Sequence, residues 1–373
     1  MSAADFSHLV NAGVAGLQPY QPGKSVEELE RELGISDIIK LASNENPLGP
    51  SPVVDRVLQE AGDIARYPDG SGYRLKRVLA ESLELDSAHI TLGNGSNDVL
   101  TLLGRSFLRP GANAVCSAHA FAVYSLVTQA AGAQLRQVPA LPADHAQAYG
   151  HDLSRFAEFV DDDTRLLFIA NPNNPTGTWV DPAALESLLQ QLPAQVVVVL
   201  DEAYCEYQDA SQRPDTGALL ATYPNLVVTR TFSKVYGLAA LRIGFGLSHP
   251  QLAQYLNRLR QPFNNNALAL AAAEAAWQDQ AHVAASLAIN GEGMAFYSEE
   301  LPALGLSVLP SQANFVCVDF KRPAQPIFEA LLRQGVIVRP LASYAMPQHL
   351  RITIGTPDEN QRCLQALKTV LNS

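Results

Sequence analysis

A lysine held at a turn behind an apolar strand loses hydration, which lowers its pKa and frees the amine to attack a carbonyl. Lys234 is placed this way: the strand from Asn225 to Val228 stops at a hydroxyl-rich turn, Lys234 follows, and Arg242 comes eight residues later. Thr231, Ser233 and Arg242 supply donors suited to a phosphate, and a guanidinium fork fits phosphate geometry better than an ammonium does. A carbonyl and a phosphate on one small molecule point to pyridoxal phosphate. Most lysines are solvated surface charges, so this reading depends on what other segments bring to Lys234.

Several segments end where a ligand would sit. Ile90 to Gly93 reads as a short strand that breaks at Asn94-Gly95-Ser96-Asn97-Asp98 before an apolar helix from Val99 to Phe107. Strand, glycine turn and helix N-terminus together make an anion site at Gly95, Ser96 and Asn97, because unpaired N–H groups and the helix dipole both point there. Asp98 stands where a dinucleotide fingerprint needs its third glycine, which favours one phosphate over a pyrophosphate. Ala114 to Cys116 is the next strand, and Phe121 just beyond it either stacks on a flat ring or is a core aromatic. Leu166 to Ala170 and Gln195 to Leu200 are unbroken apolar strands of the kind buried on both faces of a parallel sheet. The first ends in Asn171-Pro-Asn-Asn174-Pro-Thr-Gly177 and the second in Asp201-Glu-Ala-Tyr204.

Strands alternating with helices, each strand ending in polar residues, describe an open α/β sheet that binds ligands beyond its carboxyl ends. Four polar clusters then fall in one crevice with Lys234. Asp201 would face the pyridine nitrogen of the cofactor, Tyr204 and Asn174 would hydrogen-bond its phenolic oxygen, and Lys234 would hold it and then act as general base.

The 373 residues are 47% apolar, enough for one large unit and a smaller one. A formal charge of −11 with no basic run disfavours nucleic acid and acidic lipid as partners and leaves small molecules. Cys116, Cys205, Cys317 and Cys363 lie far apart without zinc spacing and read as reduced core residues. No basic leader and no membrane-length apolar run occurs, so a cytoplasmic protein is expected.

Towards the N-terminus, Leu17-Gln-Pro-Tyr20-Gln-Pro-Gly23 forbids regular structure and reads as an arm lying on the body. Ser25 with Glu28 is a capping-box start for a helix to Leu33, and Ile38 to Leu41 reads as a strand. The loop Ser43-Asn44-Glu-Asn46-Pro47 either closes over a site or is an ordinary connection. Helices are expected at Ser51 to Ala61 and Tyr73 to Leu83, with a turn at Arg66-Tyr67-Pro-Asp-Gly70 between them. The stretch from Leu252 to Trp277 reads as mostly helical with a break near Pro262. Beyond it, strands at Ser307–Leu309, Asn314–Phe320, Val336–Arg339 and Leu350–Ile354, with helices at Pro326–Arg333 and Pro357–Leu371, describe an α+β unit. Arg339 and Arg351 lie on or at the ends of its apolar strands, where an unpaired charge is costly. Either they meet carboxylates of the fold or they wait for an anionic substrate.

The motifs Asn171 to Gly177, Asp201 to Tyr204, and Ser233-Lys234 followed by Arg242 resemble, in order and spacing, those of fold-type I pyridoxal-phosphate aminotransferases. Within that family, Leu41-Ala-Ser-Asn-Glu-Asn-Pro47, Arg66 to Gly70 and Leu350-Arg-Ile-Thr-Ile-Gly355 are similar to the branch acting on histidinol phosphate and 2-oxoglutarate in histidine synthesis. The resemblance implies an α/β fold: a large domain with a mostly parallel seven-stranded sheet flanked by helices (46–262), and a smaller α+β domain (263–373) joined by an N-terminal arm (1–45). It implies a homodimer in which Tyr67 reaches the neighbouring subunit's cofactor phosphate. Gly95, Ser96, Asn97, Thr231, Ser233 and Arg242 are implied on the cofactor's own side, with Phe121 stacked on its ring, where tyrosine is common in the family. Tyr20, Asn44, Arg339 and Arg351 are implied substrate contacts, Arg351 taking the glutamate carboxylate in one half-reaction and the substrate phosphate in the other. An aromatic aminotransferase, a decarboxylase of a phosphorylated amino acid and a non-catalytic cofactor-binding domain share these motifs and stay open.

Overall fold

The computed structural model describes residues 6, 9–20, 23–60 and 65–372. Gln21 and Pro22 of the expected N-terminal turn, and Ala61 at the expected end of the helix from Ser51, lie outside the described residues. In chain order the strands are β1 (Ile39–Lys40), β2 (Ile90–Gly93), β3 (Asn113–Ser117), β4 (Gln134–Val138), β5 (Thr164–Ala170), β6 (Val197–Asp201), β7 (Leu226–Thr231), β8 (Gly244–Ser248), β9 (Ser307–Val308), β10 (Phe315–Asp319), β11 (Val336–Ile337), β12 (Arg339–Pro340) and β13 (His349–Thr353).

Seven of these form one sheet in the order β2-β8-β7-β6-β5-β3-β4. β8 is antiparallel to both neighbours and the remaining pairings are parallel, as the mostly parallel expectation requires. Side chains alternate across a strand, and the unbroken apolar runs of β5 and β6 therefore feed two cores at once. Leu167, Ile169, Val198 and Leu200 enter one core, while Leu166, Phe168, Val197 and Val199 enter the other. Each such buried side chain contributes about 1.5–3 kcal/mol, which fixes β5 and β6 at the centre of the sheet and their polar carboxyl ends at its edge.

A second sheet, β12-β13-β10-β9, is antiparallel throughout. The apolar run from Val336 to Arg339 reads as one strand in the sequence, but it divides between two sheets. Val336 and Ile337 pair with β1, whereas Arg339 and Pro340 pair with β13. The β1–β11 pairing ties the segment before residue 45 to the C-terminal unit.

Helix Ala267–Gln278 packs Ala269, Ala272, Ala273, Ala276 and Trp277 into the same core as the seven-stranded sheet. The next helix, Gln280–Ala303, has no apolar stripe in the sequence, because its buried face is Val283, Ser286, Asn290, Gly293, Tyr297 and Leu301. Half of that face is polar or glycine, so the spacing of three and four is invisible to a search for apolar periodicity. The helix expected from Val99 begins at Ser96, which puts Ser96 and Asn97 on its first turn.

Candidate active site

Beyond the carboxyl ends of β5, β6 and β7, and under the four-stranded sheet, lies a cavity of about 410 Å³. Its lining includes Tyr20, Asn44, Ser96, Asn97, Phe121, Asn174, Asp201, Tyr204, Thr231, Ser233, Lys234, Arg242, Arg339 and Arg351. The polar ends of three parallel strands, a helix N-terminus and two arginines of the second sheet thus meet in one place.

Lys234 follows β7 and is partly buried; its Nζ donates to the carbonyl of Ser43 at 3.0 Å. Loss of hydration, reinforced by the positive charge of Arg351, lowers its pKa to about 7. Near neutral pH a large fraction of the amine is therefore unprotonated and nucleophilic.

Asp201 ends β6, is 5% exposed and accepts two hydroxyls: Tyr124 Oη at 2.8 Å and Thr229 Oγ1 at 2.9 Å. Burial pushes its carboxyl pKa upwards, and these two bonds pull it back toward the charged form. Tyr124 is fully buried, stacked on Phe168 with ring centres 4.6 Å apart, and edge-on to Phe121 at 5.8 Å. One ring thus fixes both the carboxylate and the aromatic that lines the cavity.

A chain of hydrogen bonds crosses to the second sheet. Asn44 Nδ2 donates to Tyr204 Oη at 2.8 Å, Asn174 Nδ2 donates to the same hydroxyl at 3.4 Å, and Asn174 Oδ1 accepts from Arg351 Nη1. Asn44 holds a left-handed backbone (φ 57°), and Thr353 Oγ1 accepts from its backbone N–H and donates to its side-chain Oδ1. Asparagine tolerates this conformation better than most residues. Burial raises the Tyr204 pKa to about 12, with Arg351 opposing.

Arg351 meets oxygens of carbonyl type where the sequence left open a carboxylate of the fold. Besides Asn174 it donates to the Ala42 carbonyl at 2.6 Å, packs over Phe315, and leaves its buried Nε without a partner. Among the described residues no carboxylate lies within ion-pair distance of it. Arg339 is antiparallel to Arg351 across β12–β13, and its guanidinium stands over the Tyr20 ring at 5.8 Å.

The residues fit a phosphate at the other end. Gly95 (φ 80°) caps the helix from Ser96 without a side chain, leaving that helix's first N–H groups open. A Cβ at Gly95 would stand 2.5 Å from Arg242 Nη2, and one at Gly244 would stand 2.5 Å from the Ser96 nitrogen. Both glycines therefore keep open a cradle of backbone N–H, Ser233 and guanidinium, in which Arg242 Nη1 donates to Ser233 Oγ at 3.2 Å. Asp98 does not face this cradle. Its carboxylate accepts from the Asn94 N–H and from Asn264, which explains why no third glycine is needed there.

Gly95 shapes the cavity without lining it. Tyr67 lies outside it, 81% exposed and stacked on Phe263 with ring centres 4.5 Å apart. Tyr124, Thr229 and Ser43 escaped sequence reading. The first two look like core residues of an apolar helix and strand, and Ser43 acts through its carbonyl.

The sequence profile of the family described as aminotransferase class I and II matches residues 36–367. The chain belongs to the class I and II aminotransferases. This aminotransferase is 55% identical over 371 residues to histidinol-phosphate aminotransferase 2 of Pseudomonas aeruginosa, covering 99% of each chain. It is 51% identical to histidinol-phosphate aminotransferase 1 of Nitrosococcus oceani, covering 100% of this chain and 99% of the relative. Among solved structures, histidinol-phosphate aminotransferase from Sinorhizobium meliloti, in complex with pyridoxal-5'-phosphate, superposes with a TM-score of 0.89 at 30% identity over 97% of each chain. An aspartate aminotransferase variant of Thermus thermophilus, at 22% identity and a TM-score of 0.82, shares the fold of this aminotransferase.

Proposed function

We propose that this aminotransferase uses pyridoxal phosphate to move an amino group between L-histidinol phosphate and 2-oxoglutarate, giving imidazole acetol phosphate and L-glutamate in histidine biosynthesis. The observation that carries the reading is the placement of Lys234 and Arg351 on neighbouring carbonyls, Ser43 and Ala42. An unprotonated amine and an anion-seeking guanidinium thereby face the same small volume. The names of relatives more than half identical over the full chain support histidinol phosphate as the substrate.

When bound, pyridoxal phosphate supplies an electron sink at the substrate's amine-bearing carbon. Gly95, Ser96, Asn97, Thr231, Ser233 and Arg242 would hold its phosphate, Phe121 would cover its ring, and Asp201, oriented by Tyr124 and Thr229, would face its ring nitrogen. Tyr204 and Asn174 donate to its phenolic oxygen. Lys234 Nζ would hold the cofactor until the substrate's amine takes its place there, and the amine so released would accept the proton from the substrate's carbon, a role served by its depressed pKa. Arg351, with Arg339 and Tyr20, orients the substrate's phosphate or carboxylate, and Asn44 keeps Tyr204 in place.

In this reading residues 46–262, with helix Ala267–Gln278 packed into the same core, form the cofactor-binding domain, and the rest of the expected 263–373 unit with the arm 1–45 forms the smaller one. The protein is cytoplasmic and pairs with a second copy, whose cofactor phosphate Tyr67 reaches. Among the described residues no helix is long and apolar enough to cross a membrane.

The test follows the bound cofactor's absorbance in single turnover. Histidinol phosphate reacting much faster per unit concentration than phenylalanine is the expected result. Equal rates, or a preference for phenylalanine, would replace the assignment with an aromatic aminotransferase.

A further inference from the structure

The cavity holds more positive charge than one phosphate needs, which makes its one outlying carboxylate informative. Among the described residues that line it, Lys234, Arg242, Arg339 and Arg351 are cationic, and only Asp201 and Glu45 are acidic. Asp201 is fixed at the inner end by Tyr124 and Thr229. Glu45 also lines the cavity, with its side chain 43% exposed and one oxygen, Oε1, bonded to Lys40 Nζ at 2.8 Å. Lys40 offsets its charge at that oxygen, and the second oxygen can accept from an N–H-bearing group of a ligand.

The order of the backbone shows which group that is. Ala42 offers its carbonyl to Arg351, Ser43 offers its carbonyl to Lys234, and Glu45 follows two residues later. The three steps from residue 42 to residue 45 span at most about 10 Å. The segment therefore runs from the guanidinium that takes the anionic arm, past the amine at the reacting carbon, to Glu45. A substrate carbon held by its amine at Lys234 and by its anionic arm at Arg351 has a third arm left to place, and Glu45 is the lining carboxylate on the segment that carries both carbonyls.

We propose that Glu45 accepts a hydrogen bond from the ring N–H of a nitrogen heterocycle on this third arm, and that preference for imidazole over phenyl rests on it. The assignment builds on the substrate reading above. It gives Glu45 a specificity role and leaves the proton transfer to Lys234.

The experiment compares wild-type holoenzyme with Glu45→Gln and Lys40→Met in single turnover with histidinol phosphate, phenylalanine and glutamate. A hydrogen bond to a charged acceptor is worth about 1.5–3 kcal/mol, or roughly ten- to hundredfold. Glu45→Gln should lose that factor on histidinol phosphate, leave phenylalanine unchanged, and fail to slow glutamate, whose distal carboxylate enters the same arm. Lys40→Met, which keeps the carboxylate, should retain the preference. Calorimetric titration of histidinol phosphate into Lys234→Ala and into the Lys234→Ala, Glu45→Gln pair should show the same loss as weaker binding, without turnover. A wild-type preference that survives Glu45→Gln, an equal loss on all three substrates, or a loss reproduced by Lys40→Met would overturn the role of Glu45 alone. A wild-type enzyme that prefers phenylalanine would overturn the substrate reading and this assignment together.

Discussion

Asp201 and Glu202 are adjacent carboxylates at the end of β6, and the protein treats them in opposite ways. Asp201 faces the cavity and receives two neutral hydroxyls. Glu202 faces away, is 1% exposed, and receives Arg230 through both Nε and Nη2, at 2.8 and 2.6 Å, together with the Thr216 hydroxyl. The alternation repeats on β7, where Thr229 serves one face and Arg230 the other. Full compensation marks the structural carboxylate. Orientation by neutral donors leaves the carboxylate open to a ligand, and the same contrast separates Arg230, tied to a carboxylate, from Arg351, tied only to carbonyl-type oxygens.

The largest effect that bears on this contrast is expected on the cavity side. Lys234→Ala removes the proposed attachment point and proton carrier, so turnover should fall by at least about a hundred- to ten-thousandfold, and the absorbance of lysine-linked cofactor should vanish while the circular dichroism of the fold persists. Next come the two carboxylate systems themselves. Arg230→Met strands a buried charge and should cost about 3–5 kcal/mol in urea unfolding. Asp201→Asn should leave stability nearly intact and lower kcat by roughly ten- to hundredfold, the worth of a charged hydrogen bond. If both variants lost stability equally, the division into structural and functional faces would fail.

Reactivity against pH sharpens the picture at Lys234. With a pKa lowered to about 7, the free amine fraction is about one half at that pH, rises further, and levels off roughly one to two pH units above it. The rate at which cofactor-free protein couples to an aldehyde should follow this curve. A rate still climbing toward pH 10 would mean an ordinary solvated lysine. The smallest effect is expected from Tyr124→Phe, which keeps the stack on Phe168 and removes one neutral hydrogen bond of about 1 kcal/mol, or roughly fivefold in kcat. Its signature is a shift in the pH titration of the bound cofactor's absorbance with KM little changed; a change confined to thermal stability would make Tyr124 a packing residue only.

What was legible in the sequence follows the same physics. The ends of β5, β6 and β7 could be found because fully buried parallel strands are apolar runs, and proline, asparagine and aspartate stop them abruptly. Tyr124 and Thr229 were hidden because a buried tyrosine in Ala122–Ala130 and a β-branched residue in an apolar strand both look like core. β8 was hidden because Gly244 and Gly246 pack their bare backbones against Ser96 and Val99, so the strand reads as a loop. The long helix after Asp279 was hidden by Ser286, Asn290 and Gly293, yet that polar face does positive work: Asn46 Nδ2 donates to both Ser286 Oγ and the Val235 carbonyl, tying the loop of Lys234 to the helix.

Lys234 rides on the seven-stranded sheet and Arg351 on the four-stranded one. A molecule gripped by both is therefore a strap across the seam between two separately cored units, present in the folded state and meaningless to the unfolded chain. Mass action sets its strength: at a hundredfold excess over its dissociation constant such a ligand adds about 2.7 kcal/mol. The stability of this protein is thus expected to rise with the concentration of such a ligand, which unfolding at a series of ligand concentrations checks.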